Sequence, residues 1–282
     1  MALVPFPSQN RNDDEQSLPA KPGVFSPFGD EEEPAGEGRM TFLEHLDELR
    51  KRITHAVGGL LVGFIVAFAF IGRVQDFIYQ RLTKDIPGGH LIFTEPGEGF
   101  MLMIKMAGLT GVLIASPYIM LQVWLFIAPG LYAKEKKLAI PFVVSSSMLF
   151  IAGAAFSHYV VFPAAWAFFA SFSNDYISFT PRIDPVFGMY VKLMLGIGLT
   201  FQLPVLMFVL ARLGIVTAGF LARNFKYAVL LIFIAAAVIT PDGNPFNQLL
   251  VGGSMVVLYL FGLLAAWLFG KSKKPDPDGR SS

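Results

Sequence analysis

The sequence predicts an all-α membrane protein with six transmembrane helices. Apolar residues make up 54% of the 282 residues and charged residues only 15%, whereas soluble domains are about 45–50% apolar and about 25% charged. Six apolar stretches follow one another, and each is measured against the roughly 20 residues that a helix needs to cross the hydrocarbon of a bilayer. Lys and Arg collect on alternate connections between these stretches, which is typical of a multi-pass protein.

Each predicted span is an apolar segment bounded by charges, glycine or proline. The third span ends at Pro163, and the fourth contains Pro204, which removes one backbone hydrogen bond and is expected to kink the helix. Pro-Asp-Gly-Asn-Pro at 241–245 predicts a turn, so the last apolar region is read as two short spans. The six spans cover about 53–72, 101–128, 139–162, 188–211, 227–240 and 247–269.

The basic residues in the flanks predict the orientation. Beyond the tail 1–38, fourteen Lys and Arg lie on the side of the two termini, against four in the connections on the other side. Since short loops rich in Lys and Arg stay in the cytoplasm, both termini are predicted to be cytoplasmic. An even number of spans agrees with this orientation.

The ends of the chain differ in composition from the middle. Residues 1–38 are rich in Asp, Glu and Pro, which predicts a disordered tail. Residues 39–270 form the predicted membrane domain, and residues 271–282 a basic cytoplasmic tail. Within 40–52 the apolar residues recur at helical spacing, and Thr41 with Glu44 fits a capping box. This segment predicts an amphipathic helix that lies on the membrane surface before the first span.

Several functional classes are excluded by what the sequence lacks. The net charge of +1 argues against a nucleic-acid-binding protein driven by bulk charge. The absence of Cys excludes thiolate nucleophiles and Cys-ligated metals. The four His residues are scattered without metal-ligand spacing, and no phosphate-binding or nucleophile motif is present. Neither an enzyme nor a cofactor or metal site is predicted.

Three acidic residues are candidates for binding a cation. Glu135 lies among three lysines in a short connector. It either forms a local salt bridge or holds its carboxylate at the membrane surface to bind a cation. Glu44 and Glu48 are four residues apart and share one helix face. That face is either an ordinary solvated surface or a second part of the same binding site.

Gln202 is the candidate inside the membrane. A polar side chain at mid-span faces protein or trapped water, because hydrocarbon offers it no partner. It forms either an interhelical hydrogen bond or a functional polar site. A rival hypothesis is a small-solute transporter with a midplane site at Gln202 and the Pro204 kink; an intramembrane enzyme is a weaker one.

Two long motifs carry a resemblance to a known family. Residues 42–52, FLEHLDELRKR, resemble the amino-terminal motif of the TatC family, the multispanning subunit of the twin-arginine protein translocase. Residues 122–132, QVWLFIAPGLY, continuing to Glu135, are similar to the first cytoplasmic loop motif of that family. Shorter matches lie at 145–147, 161–163 and 240–242, so that the resemblance runs from about residue 40 to 270.

The resemblance implies a cup-shaped bundle of six spans in the bacterial cytoplasmic (inner) membrane. It implies a protein that, together with TatB, binds the twin-arginine signal peptides of folded precursors. It also implies recruitment of TatA, association with other TatC copies, contact with lipid, and transport driven by the proton-motive force. No nucleic acid is implied as a partner.

The resemblance also implies roles for single residues of the signal-peptide site. Glu48 and Glu135 match the acidic residues that receive the arginine pair, Phe126 and Arg50 match other residues of the recognition patch, and Glu44 neighbours them. This chemistry is reasonable, because a guanidinium prefers a planar carboxylate that it can bind through two N–H groups.

Two further positions concern the partner helices and the membrane interior. Thr240 and Gln248 correspond to polar positions that contact the single-span partners. Many family members have Glu where this chain has Gln202. Because Gln does not ionise, hydrogen bonding is retained there but a charged role is not expected.

Overall fold

The computed structural model describes residues 42–84, 90–127, 139–174, 176, 179–240 and 245–269. Within these residues all named elements are helices, and Ile92 and Arg182 form an isolated bridge. The predicted tails, the Thr41 cap, the turn at 241–244 and Glu135 lie outside the described residues. The helices are α1 (Phe42–Ala69), α2 (Ile71–Thr83), α3 (Glu98–Ile127), α4 (Ala139–Phe156), a π-helical turn (Ser157–Val161), α5 (Phe162–Ala170), α6 (Ile183–Thr200), α7 (Leu203–Arg212), α8 (Ala218–Arg223), α9 (Phe225–Ile239) and α10 (Pro245–Phe269).

The predicted class, an all-α membrane protein, is confirmed. Five helical segments in the described part of the chain are long and apolar enough to cross a membrane: Leu43–Ala69, Glu98–Ile127, Ile140–Ala170, Ile183–Arg212 and Pro245–Leu268. The apolar helix α9 has 15 residues. At 1.5 Å per residue it is about 22 Å long, less than the roughly 30 Å of the hydrocarbon.

Helix α1 is longer than the first predicted span. The amphipathic segment predicted at 40–52 is not a separate element, because α1 continues without a break from Phe42 to Ala69. No Gly or Pro stands between Phe42 and Gly58 to interrupt it. The charged residues therefore occupy the first turns of the same helix that carries the first span.

The predicted end of the third span at Pro163 is wrong. The chain passes from α4 through the π-helical turn into α5 and stays helical to Ala170. Pro163 lies in the first turn of α5, where its missing N–H is not needed by the helix. In the fourth span, by contrast, the chain does break before Pro204, at Phe201 and Gln202 between α6 and α7.

A close crossing of α1 and α3 holds these two helices together. A Cβ atom added to Gly111 would lie 2.8 Å from the backbone nitrogen of Phe64 and 2.9 Å from its Cα, and one added to Gly63 would lie 2.5 Å from the Gly111 carbonyl oxygen. These distances are shorter than van der Waals contact, so only glycine fits at the crossing. The crossing therefore fixes the position of α1 against α3.

At the start of α3, Glu98 connects the helix to residues that precede α6. Glu98 is buried, and its Oε2 accepts hydrogen bonds from the backbone nitrogens of Thr94 at 2.7 Å and Glu95 at 3.3 Å. Its Oε1 accepts from Arg182 Nη2 at 3.1 Å. The carboxylate thus holds the turn that leads into α3 and pairs with a guanidinium 84 residues away.

Backbone hydrogen bonds reinforce this connection. Ile92 donates to the Pro181 carbonyl at 3.2 Å, and Ile183 donates to the Ile92 carbonyl at 2.9 Å. Lys105 of α3 forms an ion pair with Asp184 of α6. We refer to the Glu98–Arg182 pair, the Ile92 bridge and the Lys105–Asp184 pair together as the Glu98 clasp. It holds the first turns of α3 and α6 against each other.

Candidate functional site

The candidate site lies where the first turns of α1 meet the last turns of α3. Glu44, Glu48 and Arg52 repeat every four residues on α1 and share one face, and Gln122 and Phe126 do the same on α3. His45 is the neighbouring residue that reaches Phe126. We call the set the α1–α3 patch: Glu44, His45, Glu48, Arg52, Gln122 and Phe126.

Glu48 and Arg52 form an ion pair at the centre of the patch. Arg52 Nε donates to Glu48 Oε1 at 2.6 Å, and Arg52 Nη2 lies 2.5 Å from the same oxygen. The Arg52 side chain is 22% exposed and the Glu48 side chain 20%. Because water screens this pair only partly, its attraction is stronger than that of an exposed pair with the same i,i+4 spacing.

Gln122 extends the ion pair from α1 to α3. Arg52 Nη1 donates to Gln122 Oε1 at 3.4 Å, across 70 residues of sequence. Gln122 is buried, with 6% of its surface exposed, so its amide oxygen is held at a fixed place beneath the patch. The Arg52 guanidinium therefore has an acceptor on each helix.

An aromatic contact borders the ion pair. The His45 and Phe126 rings stack with their centroids 4.5 Å apart and their planes at 28°. His45 is exposed and Phe126 half-buried. The stack gives the patch an apolar edge beside its charged centre, and such an edge can accept the aliphatic part of an arginine side chain.

The structure brings some of the predicted residues together and leaves others apart. Glu48 and Phe126 lie in the α1–α3 patch, and Glu44 is exposed on its α1 face. Arg50 is two residues from Glu48, about 200° around the helix, and is exposed on a different side of α1. Glu135 lies outside the described residues.

Sequence reasoning did not identify Arg52, Gln122 or His45 as members of the site. A local signal existed for Arg52, since Glu48 and Arg52 have the i,i+4 spacing of a helical ion pair. A weaker signal existed for Gln122, a polar side chain within an apolar span and one turn before Phe126. No local pattern indicates the bond between Arg52 and Gln122, because it depends on how α1 packs on α3.

Gln202 lies at the break between α6 and α7. Its Nε2 donates to the backbone carbonyl of Ser146 in α4 at 2.9 Å. Of the two alternatives derived from the sequence for Gln202, this contact is the first, an interhelical hydrogen bond. Any further role of Gln202 in transport stays a prediction.

Replacing Gln202 by Leu is expected to affect transport more than peptide binding. The substitution removes one half-buried interhelical hydrogen bond, worth about 1 kcal/mol, at a residue that does not belong to the α1–α3 patch. We expect a lower melting temperature in detergent and slower export, with binding of a twin-arginine peptide unchanged. An equal loss of export and binding would contradict a separate role for Gln202.

Thr240 and Gln248 both bond to α9. Thr240 is buried, and its Oγ1 donates to the Ala236 carbonyl at 2.6 Å. Gln248 is half-buried on α10, and its Nε2 donates to the Phe233 carbonyl at 3.3 Å. The Gln248 bond joins α10 to α9, whereas the Thr240 bond lies within the last turn of α9. Contact of the two residues with a partner helix remains a prediction.

Comparison with known proteins identifies the family. The family described as Sec-independent protein translocase protein (TatC) matches residues 44–253. The chain belongs to the TatC family. A TatC of Koribacter versatilis is 37% identical over 235 residues, which cover 81% of this chain and 86% of that protein. A TatC of Helicobacter pylori strain J99 is 40% identical over 232 residues, 82% and 91% of the two chains.

Solved structures of the family have the same fold. A crystal structure of the twin arginine translocase receptor TatC superposes with a TM-score of 0.69 at 31% identity, covering 79% of this chain and 97% of that one. A second, in DDM, gives a TM-score of 0.70 and covers 99% of that chain. This TatC chain is accordingly a multi-pass membrane protein and a component of a protein translocase, not an enzyme.

Proposed function

We propose that this chain is the core subunit of the twin-arginine translocase in a bacterial cytoplasmic membrane, with six spans and both termini in the cytoplasm. In this proposal the short helix α9 is the fifth span in chain order, and the five longer segments supply the other spans. The excess of Lys and Arg on one set of connections supports the orientation. The names of the related proteins support transport that does not use the Sec pathway.

The α1–α3 patch is proposed to bind the twin-arginine signal peptide of folded precursors, together with TatB. Glu48 and Glu135 receive the two arginines, Phe126 contacts the peptide at the apolar edge, and Glu44 adds negative charge. Arg50, on another side of α1, contacts the peptide beyond the patch. One observation carries this proposal: the half-buried Glu48 carboxylate already binds a guanidinium through two nitrogens.

The α9–α10 hairpin is proposed to contact the single-span subunits TatA and TatB. Thr240 and Gln248 lie at the end of the hairpin where α9 ends and α10 begins. Helix α9 leaves large apolar side chains exposed, which can pack against another helix in the membrane: Leu230, Leu231, Ile234 and Val238. Association with further TatC copies and use of the proton-motive force belong to the same proposal.

Site-specific crosslinking from residue 135 tests the receptor role. The precursor carries an Arg-Arg signal, and a precursor with a Lys-Lys signal is the control. A crosslink that forms with Arg-Arg and disappears with Lys-Lys would support the receptor role. No crosslink in membranes that still export the Arg-Arg precursor would mean that Glu135 is structural, and the peptide would then be sought around Glu44 and Glu48.

Replacing Glu135 by Ala is expected to abolish export and to weaken binding of twin-arginine peptides, because one arginine loses its carboxylate. The chain should still insert, since the connector contributes no apolar span. The measurement compares export, peptide affinity and the amount of chain in the membrane. Normal export by this variant would contradict the role proposed for Glu135.

A further inference from the structure

Arg52 occupies the position that the proposed function gives to an arginine of the signal peptide. We propose that Arg52 is an internal competitor for Glu48, and that displacing it makes the site selective for arginine over lysine. This inference rests on the proposed function, since it concerns how the α1–α3 patch discriminates between peptides.

The geometry of Arg52 is that of a bound ligand. Its Nε and Nη2 approach Glu48 Oε1 at 2.6 and 2.5 Å, while its Nη1 lies 3.4 Å from Gln122 Oε1. The two Arg52 nitrogens that contact Glu48 therefore share one carboxylate oxygen. An incoming guanidinium therefore competes for Oε1 directly, whereas Gln122 remains available to Arg52.

Gln122 provides the place to which Arg52 moves. Because Gln122 is buried and neutral, its amide oxygen accepts a hydrogen bond from Arg52 without competing for the charge of the peptide. A guanidinium that leaves Glu48 can turn toward this acceptor by a change of side-chain rotamer. The displaced charge is then not left without a hydrogen-bond partner, which would be unfavourable at a half-buried position.

Displacement of an arginine explains selectivity better than an empty carboxylate does. An empty carboxylate attracts both arginine and lysine, since both carry one positive charge, and only the fork of the guanidinium favours arginine there. When Arg52 is already bound, the incoming group must replace two N–H contacts of a planar fork. A second guanidinium reproduces these contacts, but the ammonium of lysine is a single, strongly hydrated point charge. Lysine therefore fails to displace Arg52 where arginine succeeds.

The test measures the affinities of an Arg-Arg and a Lys-Lys signal peptide for the full chain in detergent, with three variants. Arg52→Gln removes the competitor, and Arg52→Lys keeps the charge but not the fork. Lys51→Gln is the matched control: Lys51 is exposed on the same turn and loses the same charge. The wild-type chain is measured first.

We expect Arg52→Gln to bind the Arg-Arg peptide about tenfold more tightly, the size of a lost half-buried ion pair. The Lys-Lys peptide should gain more than this, so that the ratio of the two affinities falls. Arg52→Lys should lower the ratio as well. Lys51→Gln should shift both affinities by the same small factor and leave the ratio unchanged.

Weaker binding of the Arg-Arg peptide by Arg52→Gln, or an unchanged ratio in both Arg52 variants, would overturn the inference and make Arg52 a residue that only positions Glu48. If Arg52→Gln fails to fold, the inference is tested by Arg52→Lys alone, through the ratio of its affinities for the Arg-Arg and Lys-Lys peptides. Failure of the proposed function has a different signature, because the wild-type chain itself would then bind the two peptides equally.

Discussion

Replacing Gly111 with Ala is expected to destabilise the protein and to disrupt the α1–α3 patch. The new Cβ would lie 2.8 Å from the backbone nitrogen of Phe64, so the two helices must move apart. Overpacking against a backbone costs about 3 kcal/mol at the upper end of its usual range, and the better helix propensity of Ala returns about 1 kcal/mol. The expected net loss is about 2 kcal/mol, read as a lower melting temperature in detergent.

Gly108→Ala is the matched control on the same helix. A Cβ at Gly108 meets no atom within 4 Å, so this variant keeps only the gain in helix propensity and should melt at the same temperature or higher. Binding of the twin-arginine peptide should fall in Gly111→Ala, since Glu48 and Gln122 are carried by the two separated helices. Equal melting temperatures for the two variants would show that the two helices can move apart at the crossing without a loss of stability.

Replacing Glu48 with Gln is expected to give the largest loss of peptide affinity among the described residues. The amide keeps the size of the side chain but removes the charge that an arginine pairs with. Removing one partner of a buried charge pair costs about 2 kcal/mol or more, roughly a 30-fold loss of affinity. The measurement is the dissociation constant of an Arg-Arg peptide, with export as the second readout.

Asp47→Asn provides the control for this variant, because Asp47 is exposed beside Glu48 and loses the same charge. A comparable loss in both variants would indicate a general electrostatic attraction and contradict a specific role for Glu48. Glu48→Gln and Arg52→Gln break the same ion pair, yet the affinity is expected to fall in the first and rise in the second. A pair that served only the fold would move the affinity in one direction.

Much of the fold follows from hydropathy and length, because each membrane helix satisfies its own backbone and must be long and apolar. The first and last spans illustrate this, since α10 contains the predicted stretch 247–269 and α1 covers 53–69 of the predicted 53–72. The error at Pro163 has a physical cause: the effect of a proline depends on its place in the helix, and the π-helical turn before α5 changes that place. The pattern of apolar residues does not predict a π-helical turn.

The site was predictable only as far as its local motifs reach. The resemblance of residues 42–52 to a known motif indicated Glu48, and the second motif indicated Phe126. The contact of Arg52 with Gln122 joins residues 70 positions apart, and that of Glu98 with Arg182 joins residues 84 positions apart. Both depend on helix packing, which neither motif encodes.

The Glu98 clasp has a mechanical consequence for the far end of α3. The clasp restrains the first turns of α3, while Gln122 and Phe126 lie in the last turns of this 30-residue helix. At 1.5 Å per residue the helix is a lever about 45 Å long. A tilt of about 5° around the restrained end would move the other end by about 4 Å. Because the Gly63–Gly111 crossing ties α1 to α3, such a tilt would carry the whole α1–α3 patch with it and change its position relative to the rest of the bundle.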